Sequence, residues 1–207
     1  MSTFNCTCRH YGPTLYSRGL LESDVAAVQA ILADWEDWEL TDEEAEILTK
    51  SWAQKDSKWY APYHEGMPGC ESTTLFCLKS DDTPVFINRC YQYGTHVDHI
   101  LAAVHPDYRL QGIYKEANQM LLTGAWDYYG MKSITMRERV DTGSLMGIEI
   151  TNAKTGQIFE GHHKQLAPNY KSTTTTYEEW AAFKETDEYK SWAINYTMYP
   201  KYPGDPI

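Results

Sequence analysis

The chain has 207 residues, 42% of them hydrophobic, and carries 29 acidic against 18 basic side chains, for a net charge of −11. A chain of this length is typical of one domain that buries enough apolar surface to fold without a disulfide or a structural metal. The acidic excess disfavours nucleic-acid binding, which depends on a basic surface, and favours a cationic partner.

The N-terminal segment contains Cys6, Cys8 and His10. No second ligand pair follows at zinc-ribbon spacing, so we predict no metal site. The chain has five cysteines, and this odd number favours reduced thiols. A signal-peptide pattern and any run of about 18 apolar residues are both missing from the sequence. We therefore expect a cytoplasmic protein with no membrane partner.

Two helices are predicted after a short strand near Thr3–Arg9. The first covers Glu22–Trp38, with Ser23 as its N-cap and apolar residues at helical spacing. The second begins at Thr41, which forms a capping box with Glu44. Proline and glycine then predict a loop over residues 61–71.

Alternating strands and one long helix follow. Thr73–Lys79 and Val85–Tyr93 are predicted to pair as a hairpin, and Val97–Val104 is predicted as the next strand. The clearest helix covers Gly112–Tyr129, and the strand Met131–Arg139 comes after it.

The C-terminal third is predicted to contain a short helix over Asp141–Lys154 and a hairpin of Gln157–Leu166 with Lys171–Tyr177. A helix over Glu178–Asn195 then forms an aromatic-rich tail, residues 178–207, packed on the same domain. This order of elements predicts a mixed α/β (α+β) fold with a sheet of about seven strands.

The segment VHPDYRLQGIY, residues 104–114, connects a strand to the long helix. The first turn of a helix presents N–H groups and positive potential, so it is a phosphate-binding site. Gly112 allows a phosphate to approach the backbone closely, and Arg109 adds a cation. The sequence contains neither a Gly-Lys-Ser/Thr nor a GxGxxG motif, which excludes the triphosphate and dinucleotide signatures.

This segment resembles the signature V-x-P-x-x-R-x-x-G-x-G/A of the GNAT superfamily, the GCN5-related N-acetyltransferases, and the element order over residues 1–177 is also similar. The resemblance implies a mostly antiparallel sheet flanked by helices, an N-acetyltransferase activity, and acetyl-CoA as the cofactor. Tyr114 departs from the small residue that ends the signature. The resemblance implies that the pantetheine arm pairs with the backbone of Ala102 and Val104, and that the pyrophosphate binds Arg109, Leu110, Gln111, Gly112, Ile113 and Tyr114.

Direct acetyl transfer to an amine requires a general base. The resemblance points to Asp98, because family members carry a glutamate or histidine base at this offset. In a regular strand Asp98 shares the face of Val104 and His99 faces the other way. His99 is the second candidate, because a β-bulge commonly splays this strand in the family and histidine titrates near neutral pH. Glu71, Glu138 and an ordered water are the remaining candidates.

The family's usual acid, a tyrosine that protonates the leaving thiolate, is missing from residues 141–156. Tyr114, Tyr129 and Tyr170 are substitutes, or the thiolate leaves unaided, because its ordinary pKa is about 8.5.

The resemblance places the acceptor beside the first two helices and the last hairpin. Aromatic rings near an acidic stretch favour a cationic small-molecule, polyamine or peptide amine, and core packing is the alternative use of these rings. They are Trp35, Trp38, Trp52, Trp59, Tyr60 and Tyr63.

Two other functions remain open. One is a CoA-binding module without catalysis. The other is a protein-interaction domain that uses Trp180, Trp192, Tyr196 and Tyr199. A homodimer is also left open.

Overall fold

The computed structural model describes residues 9–33, 40–55, 59–64, 67–128, 130–139, 162–167, 170–192 and 197–199. The strands are β1 (Arg9–Tyr11), β2 (Leu15–Gly19), β3 (Trp59–His64), β4 (Met67–Leu78), β5 (Pro84–Tyr93), β6 (His96–Val104), β7 (Ser133–Arg139), β8 (His162–Ala167), β9 (Tyr170–Thr176) and β10 (Thr197–Tyr199). The helices are α1 (Val25–Leu32), α2 (Asp42–Lys55), α3 (Ile113–Thr123), α4 (Tyr177–Lys184) and α5 (Asp187–Trp192).

Seven strands form a central sheet in the order β2-β4-β5-β6-β7-β9-β8. β1 and β10 extend this sheet beyond β2, and β3 lies beside β4. Of the strand pairs described, β6–β7 alone is parallel. The predicted mixed fold, with a mostly antiparallel sheet of about seven strands, is confirmed.

Helices cover both faces of the sheet. On one face, called the α1–α2 face, Ile31 and Trp52 of the first two helices pack against Ile87 and Leu101. On the opposite face, the α3 face, a separate cluster forms between helix α3 and the sheet. It contains Ile113, Ala117 and Met120 of α3 and Leu15, Phe76 and Phe86 of the strands. Because an apolar stripe must be buried, these two clusters fix α1, α2 and α3 relative to the sheet.

The C-terminal segment also packs on the α3 face. Trp180 and Phe183 of α4 are buried with Trp126, which lies in a one-turn π-helix at Gly124–Tyr128. The Asp127 carboxylate accepts hydrogen bonds from Trp180 Nε1, at 3.3 Å, and from Lys184 Nζ, at 2.8 Å. The boundary at residue 177 between a domain and a tail stays a prediction.

The prediction of one helix over Glu178–Asn195 is wrong. Thr186 separates α4 from α5, because its hydroxyl donates to the carbonyl of Phe183 and accepts from the N–H of Tyr189. A threonine in this position caps the second helix instead of continuing the first. Farther along, β10 pairs with β1 at the other edge of the sheet.

The predicted loop over residues 61–71 is also wrong, because β3 and β4 pair across most of it. Pro62 lies inside the register irregularity between Tyr60 and His64, and Pro68 precedes the first residue of β4 that pairs with β5. At these two positions a missing N–H does little harm to the hydrogen-bond ladder. Strand β2 was not predicted at all.

Several predictions are confirmed. The capping box of α2 is present, because Thr41 N donates to Glu44 Oε2 at 2.9 Å and Glu44 N donates to Thr41 Oγ1 at 3.3 Å. The β4–β5 hairpin, the strands β6 and β7, the helix that follows Gly112 and the β8–β9 hairpin also form. The predicted helix Asp141–Lys154, Cys6 and Cys8 lie outside the described residues. Within the described part of the chain, no helix combines the length and apolar character needed to cross a bilayer.

Helix α1 begins at Val25, later than the predicted start at Glu22, and its N-cap is Asp24 instead of Ser23. The Asp24 carboxylate accepts two hydrogen bonds from Arg18, at 2.6 and 2.8 Å, and one from Leu21 N at 2.8 Å. These bonds connect the end of β2 to the start of α1.

We expect Asp24→Asn to lower the free energy of unfolding by about 2 kcal/mol, because hydrogen bonds to a charged group are lost in a partly buried site. Asp187→Asn is the matched control, because its ion pair with Lys190 is at the surface, where such pairs contribute little. Urea unfolding of the two variants measures the difference. Equal effects would show that the Arg18–Asp24 pair has no special role.

Candidate functional site

The two parallel strands in the middle of the sheet separate part of the way along. Pairing of β6 with β7 runs from His96–Ser133 to Asp98–Thr135. Beyond this point β6 continues to Val104 paired with β5, while β7 continues to Arg139 paired with β9. In the described part of the chain, residues 99–104 of β6 have no strand partner on the β7 side. This gap has one free backbone edge, to which an extended amide chain can bind.

A β-bulge lies where the gap begins. Arg89 pairs with Leu101, but Cys90 pairs with His99, so Ile100 is an extra residue in β6. Residues directly opposite each other in an antiparallel pair share a face of the sheet, and an extra residue reverses the alternation beyond it. The bulge therefore changes which face each later side chain occupies.

The prediction that Asp98 shares the face of Val104 is wrong for this reason. Asp98 is opposite Tyr91 and lies on the α1–α2 face, together with Leu101 and Ala103. His99 is opposite Cys90 and lies on the α3 face, together with Ala102 and Val104. The two candidate bases, both buried, therefore lie on opposite sides of the sheet.

A hydrogen-bonded chain of side chains accompanies Asp98 on the α1–α2 face. His96 Nδ1 lies 2.6 Å from Ser133 Oγ, and His96 Nε2 lies 3.3 Å from Thr135 Oγ1. Thr135 Oγ1 lies 2.7 Å from Thr174 Oγ1. Thr135 is the β7 partner of Asp98, so this polar path, which crosses three strands, lies on the same face of the sheet as the Asp98 carboxylate.

His99 has a different environment. Its Nδ1 lies 3.1 Å from Asn88 Oδ1, while Asn88 Nδ2 donates to Cys90 Sγ at 2.9 Å. An amide oxygen can only accept, so Nδ1 of His99 carries the proton and the neutral ring is fixed by Asn88. Burial, with a smaller contribution from His96, lowers the pKa of His99 to about 4.

The lowered pKa of His99 predicts a loss of stability in acid. Below about pH 6.5 the unfolded chain binds a proton on this ring, whereas the folded protein does not until about pH 4. Stability is therefore retained above pH 6.5 and is lost as the pH falls toward 4.

Between pH 7 and pH 5 this one group is expected to lower the free energy of unfolding by about 2 kcal/mol. Urea unfolding of the wild type and of His99→Gln at both pH values measures it. An identical pH dependence in the variant would contradict the assignment.

The turn after β6 has the geometry of an anion site. Pro106–Tyr108 forms a short 3-10 turn, and Arg109 Nε donates to the carbonyl of Val104 at 3.4 Å, which holds the guanidinium beside the strand end. Leu110 and Gly112 have left-handed backbones, with φ of 62° and 84°. Turns of this kind make a concave row of N–H groups that binds anions. The Leu110 side chain is 86% exposed, so packing does not explain its backbone conformation.

Gly112 is the N-cap of α3. A Cβ added to it meets nothing within 4 Å, so there is space for a phosphate group beside the helix end. Tyr114, the residue that departs from the signature, places its ring edge-on to Phe86, with 5.9 Å between centroids. The bulky side chain is accommodated against the core, and its backbone position in the first turn is kept.

Other predicted site residues are placed differently or are not described. Trp52 is buried in the core with the Arg89 guanidinium 4.4 Å from its ring centroid, so a cation of the protein itself contacts that face. The core-packing alternative therefore applies to Trp52. Trp35, Trp38 and Tyr129 lie outside the described residues, and nothing is described of the side chains of Trp59, Tyr60, Tyr63, Glu71, Glu138, Tyr170 and Trp192.

Several acetyltransferases are among the solved structures to which this chain is similar. An acetyltransferase of the GNAT family from Bacillus anthracis superposes with a TM-score of 0.60 at 16% identity, over 82% of this chain and 99% of that chain. A spermidine N-acetyltransferase variant from Vibrio cholerae gives 0.57 at 10% identity, over 81% and 96%. A ribosomal L7/L12 alpha-N-protein acetyltransferase in complex with coenzyme A gives 0.57 at 16% identity, over 80% and 96%.

No family model matches the sequence, and no curated protein matches it either. The chain has the GNAT fold, as predicted. At these identities the likeness establishes the architecture, and the chemistry depends on the residues of the site.

Proposed function

We propose that this protein transfers an acetyl group from acetyl-CoA to a primary amine. The observation that supports this most directly is the combination of two features. β6 separates from β7 after Asp98–Thr135, and β6 then leads to the open N-terminus of α3 at Gly112. An anion site at the end of a backbone-edged gap fits a cofactor that has a pyrophosphate at one end and an amide-bearing arm at the other.

The cofactor would be held by the residues that the sequence indicated. The turn from Arg109 through Tyr114 binds the pyrophosphate through backbone N–H groups and one guanidinium. The backbone of β6 at Ala102 and Val104 pairs with the pantetheine arm. The arm then ends near the bulge at Ile100, where the two candidate bases leave the strand on opposite faces.

When bound, acetyl-CoA supplies an acetyl carbon activated as a thioester. The amine nitrogen would form a bond to this carbon as the carbon–sulfur bond breaks and the thiolate leaves. Asp98 accepts the proton that the ammonium group must lose, because it lies on the α1–α2 face, beside the helices where the family resemblance places the acceptor. His99 lies on the opposite face, the α3 face, where Asn88 fixes its ring, so it is not the base in this proposal.

The acceptor is a cationic small molecule, polyamine or peptide amine in a cytoplasmic setting. The net charge of −11 and the exposed carboxylates of α2 support this choice through long-range attraction. These carboxylates belong to Asp42, Glu43, Glu44 and Glu46. Of the similar solved structures, one is named as a spermidine N-acetyltransferase and one as a ribosomal-protein alpha-N-acetyltransferase, so their named acceptors are a polyamine and a protein amine.

The test is turnover with a panel of amines. Purified protein is incubated with acetyl-CoA and spermidine, small monoamines or N-terminal peptides, and the free thiol released is measured. Release above the hydrolysis background with any of these amines supports the proposal. A CoA-dependent rise in melting temperature without turnover supports instead the CoA-binding module, which the missing acid tyrosine favours. Absence of both would contradict the two functions together.

A further inference from the structure

One buried amide nitrogen on α3 has no hydrogen-bond partner in the part of the chain that the structure describes. Asn118 is 3% exposed, and its Nδ2 atom has no hydrogen-bond partner among the residues described. An unsatisfied buried N–H is costly, and most buried polar groups in native proteins are paired. The position of Asn118 in the fold suggests what its partner is.

Helix α3 has two apolar stripes that face different strands. Ile113, Ala117 and Met120 pack on the cluster of β2, β4 and β5. Leu122 of α3 and Ala125 of the π-helix that continues it pack instead in a cluster that contains Val97 of β6 and Ile134 of β7. Asn118 precedes Leu122 by four residues and therefore continues the second stripe, on the side of the helix toward β6 and β7.

The level of Asn118 along the strands can also be derived. α3 follows β6 through a tight turn and returns across its face, so a step toward the start of the helix is a step toward Val104. Four residues of helix span about 6 Å, or about two residues of strand. From the level of Val97, which belongs to the same buried cluster as Leu122, this reaches His99 and the bulge at Ile100. Asn118 therefore lies beneath the beginning of the gap.

At the bulge, Asn88, His99 and Cys90 on this face of the sheet are engaged with one another, whereas Gln92 Oε1, two strand positions away at the level of Val97, has no partner among the described residues. Asn88 Oδ1 accepts from His99 Nδ1, and Asn88 Nδ2 donates to Cys90 Sγ. What Asn118 offers in this gap is therefore a donor that needs a carbonyl acceptor.

We propose that Asn118 is a cofactor-binding residue whose Nδ2 donates a hydrogen bond to an amide carbonyl of the pantetheine arm. This inference rests on the proposed function, because the arm enters the gap only as part of CoA. This hydrogen bond would add a side chain of α3 to the backbone contacts that β6 makes with the arm. It would also set how far the arm, and with it the thioester, reaches into the gap.

The test compares two ligands that differ in the arm. CoA contains it, whereas adenosine 3′,5′-bisphosphate carries the nucleotide end alone. We expect Asn118→Leu to weaken CoA binding by about tenfold, as expected for one lost hydrogen bond in a buried site, and to change adenosine 3′,5′-bisphosphate binding less than about twofold. Titration calorimetry measures both constants. The melting temperature of the ligand-free variant should not fall, because an unsatisfied N–H is removed.

Gln119→Leu is the matched control, because Gln119 is the adjacent residue of α3 and is equally buried. It should keep the wild-type ratio of the two affinities, and Asn118→Ala should lose CoA affinity as Asn118→Leu does. An unchanged ratio in both Asn118 variants would overturn the inference and leave the proposed function intact. If the wild type binds neither ligand, the proposed function fails together with it.

Discussion

Asp98→Asn is expected to lower kcat by about 10²- to 10³-fold while the affinity for CoA stays at the wild-type value. The substitution keeps the shape of the side chain and removes its basicity, and general-base catalysis typically contributes a factor of this size. The cofactor affinity should not change, because the contacts assigned to CoA are the turn at residues 109–114, the backbone of β6 and the α3 side of the gap. Asp98 is on the α1–α2 face.

The measurement is the dependence of kcat/KM on pH for the wild type and for Asp98→Asn, with the best amine of the panel. The wild-type rate should rise with pH as the amine loses its proton, with the Asp98 carboxylate as the acceptor of that proton. In the variant this acceptor is missing, and only the rise due to the amine itself remains.

His99→Gln is the matched control for Asp98→Asn. The two residues are neighbours with nearly equal exposure, 6% and 7%, but they lie on opposite faces of the sheet. The control should keep kcat within a few-fold of the wild type, measured near pH 7, where the loss of stability in acid does not interfere. A large loss in His99→Gln together with a small one in Asp98→Asn would assign the base to His99 instead.

The central elements and the turn between β6 and α3 could be predicted from the sequence because their signals are local. Residues 104–114 combine a strand end, a proline, a left-handed glycine and an amphipathic helix within one short segment. Each of these features acts through the backbone and needs no distant partner. For the same reason Thr41 and Glu44 predicted the start of α2 correctly, since a capping box involves one turn of helix.

The faces of Asp98 and His99 could not be predicted from alternation. One extra residue at Ile100 reverses the pattern, and a bulge of this kind depends on how β6 pairs with β5. Strand β2 escaped prediction because Ser17 is buried and Arg18 is bound to Asp24. A polar residue inside and a charged residue on the strand obscure the alternation that marks a strand.

The aromatic residues proposed for the acceptor pocket show a similar limit. Trp52 is a side chain of the type expected to bind a cation, and a cation does lie over its ring, but that cation is the guanidinium of Arg89. A sequence shows which side chains attract each other, and the partner is selected by the fold. The number of tryptophans therefore does not identify an acceptor pocket.

Gly112→Glu is expected to weaken CoA binding by more than about 100-fold, the largest effect on the cofactor predicted for a single residue. The left-handed backbone of Gly112, with φ of 84°, disfavours any side chain by about 1–2 kcal/mol. The added side chain also fills the space next to the helix end and brings a negative charge to the site of the pyrophosphate, where the helix dipole and Arg109 favour an anion.

Gly94→Glu separates these causes from a general loss of stability. Gly94 is also left-handed, with φ of 54°, and a Cβ added there meets nothing within 4 Å, but it lies in the β5–β6 turn, at the other end of β6 from residues 109–112. The control therefore has a comparable backbone strain and the same added charge. It should bind CoA as the wild type does, measured by titration calorimetry after the melting temperatures of both variants are compared. Equal weakening in the two variants would show that strain alone lowers affinity, and the turn at Gly112 would then not be the pyrophosphate site.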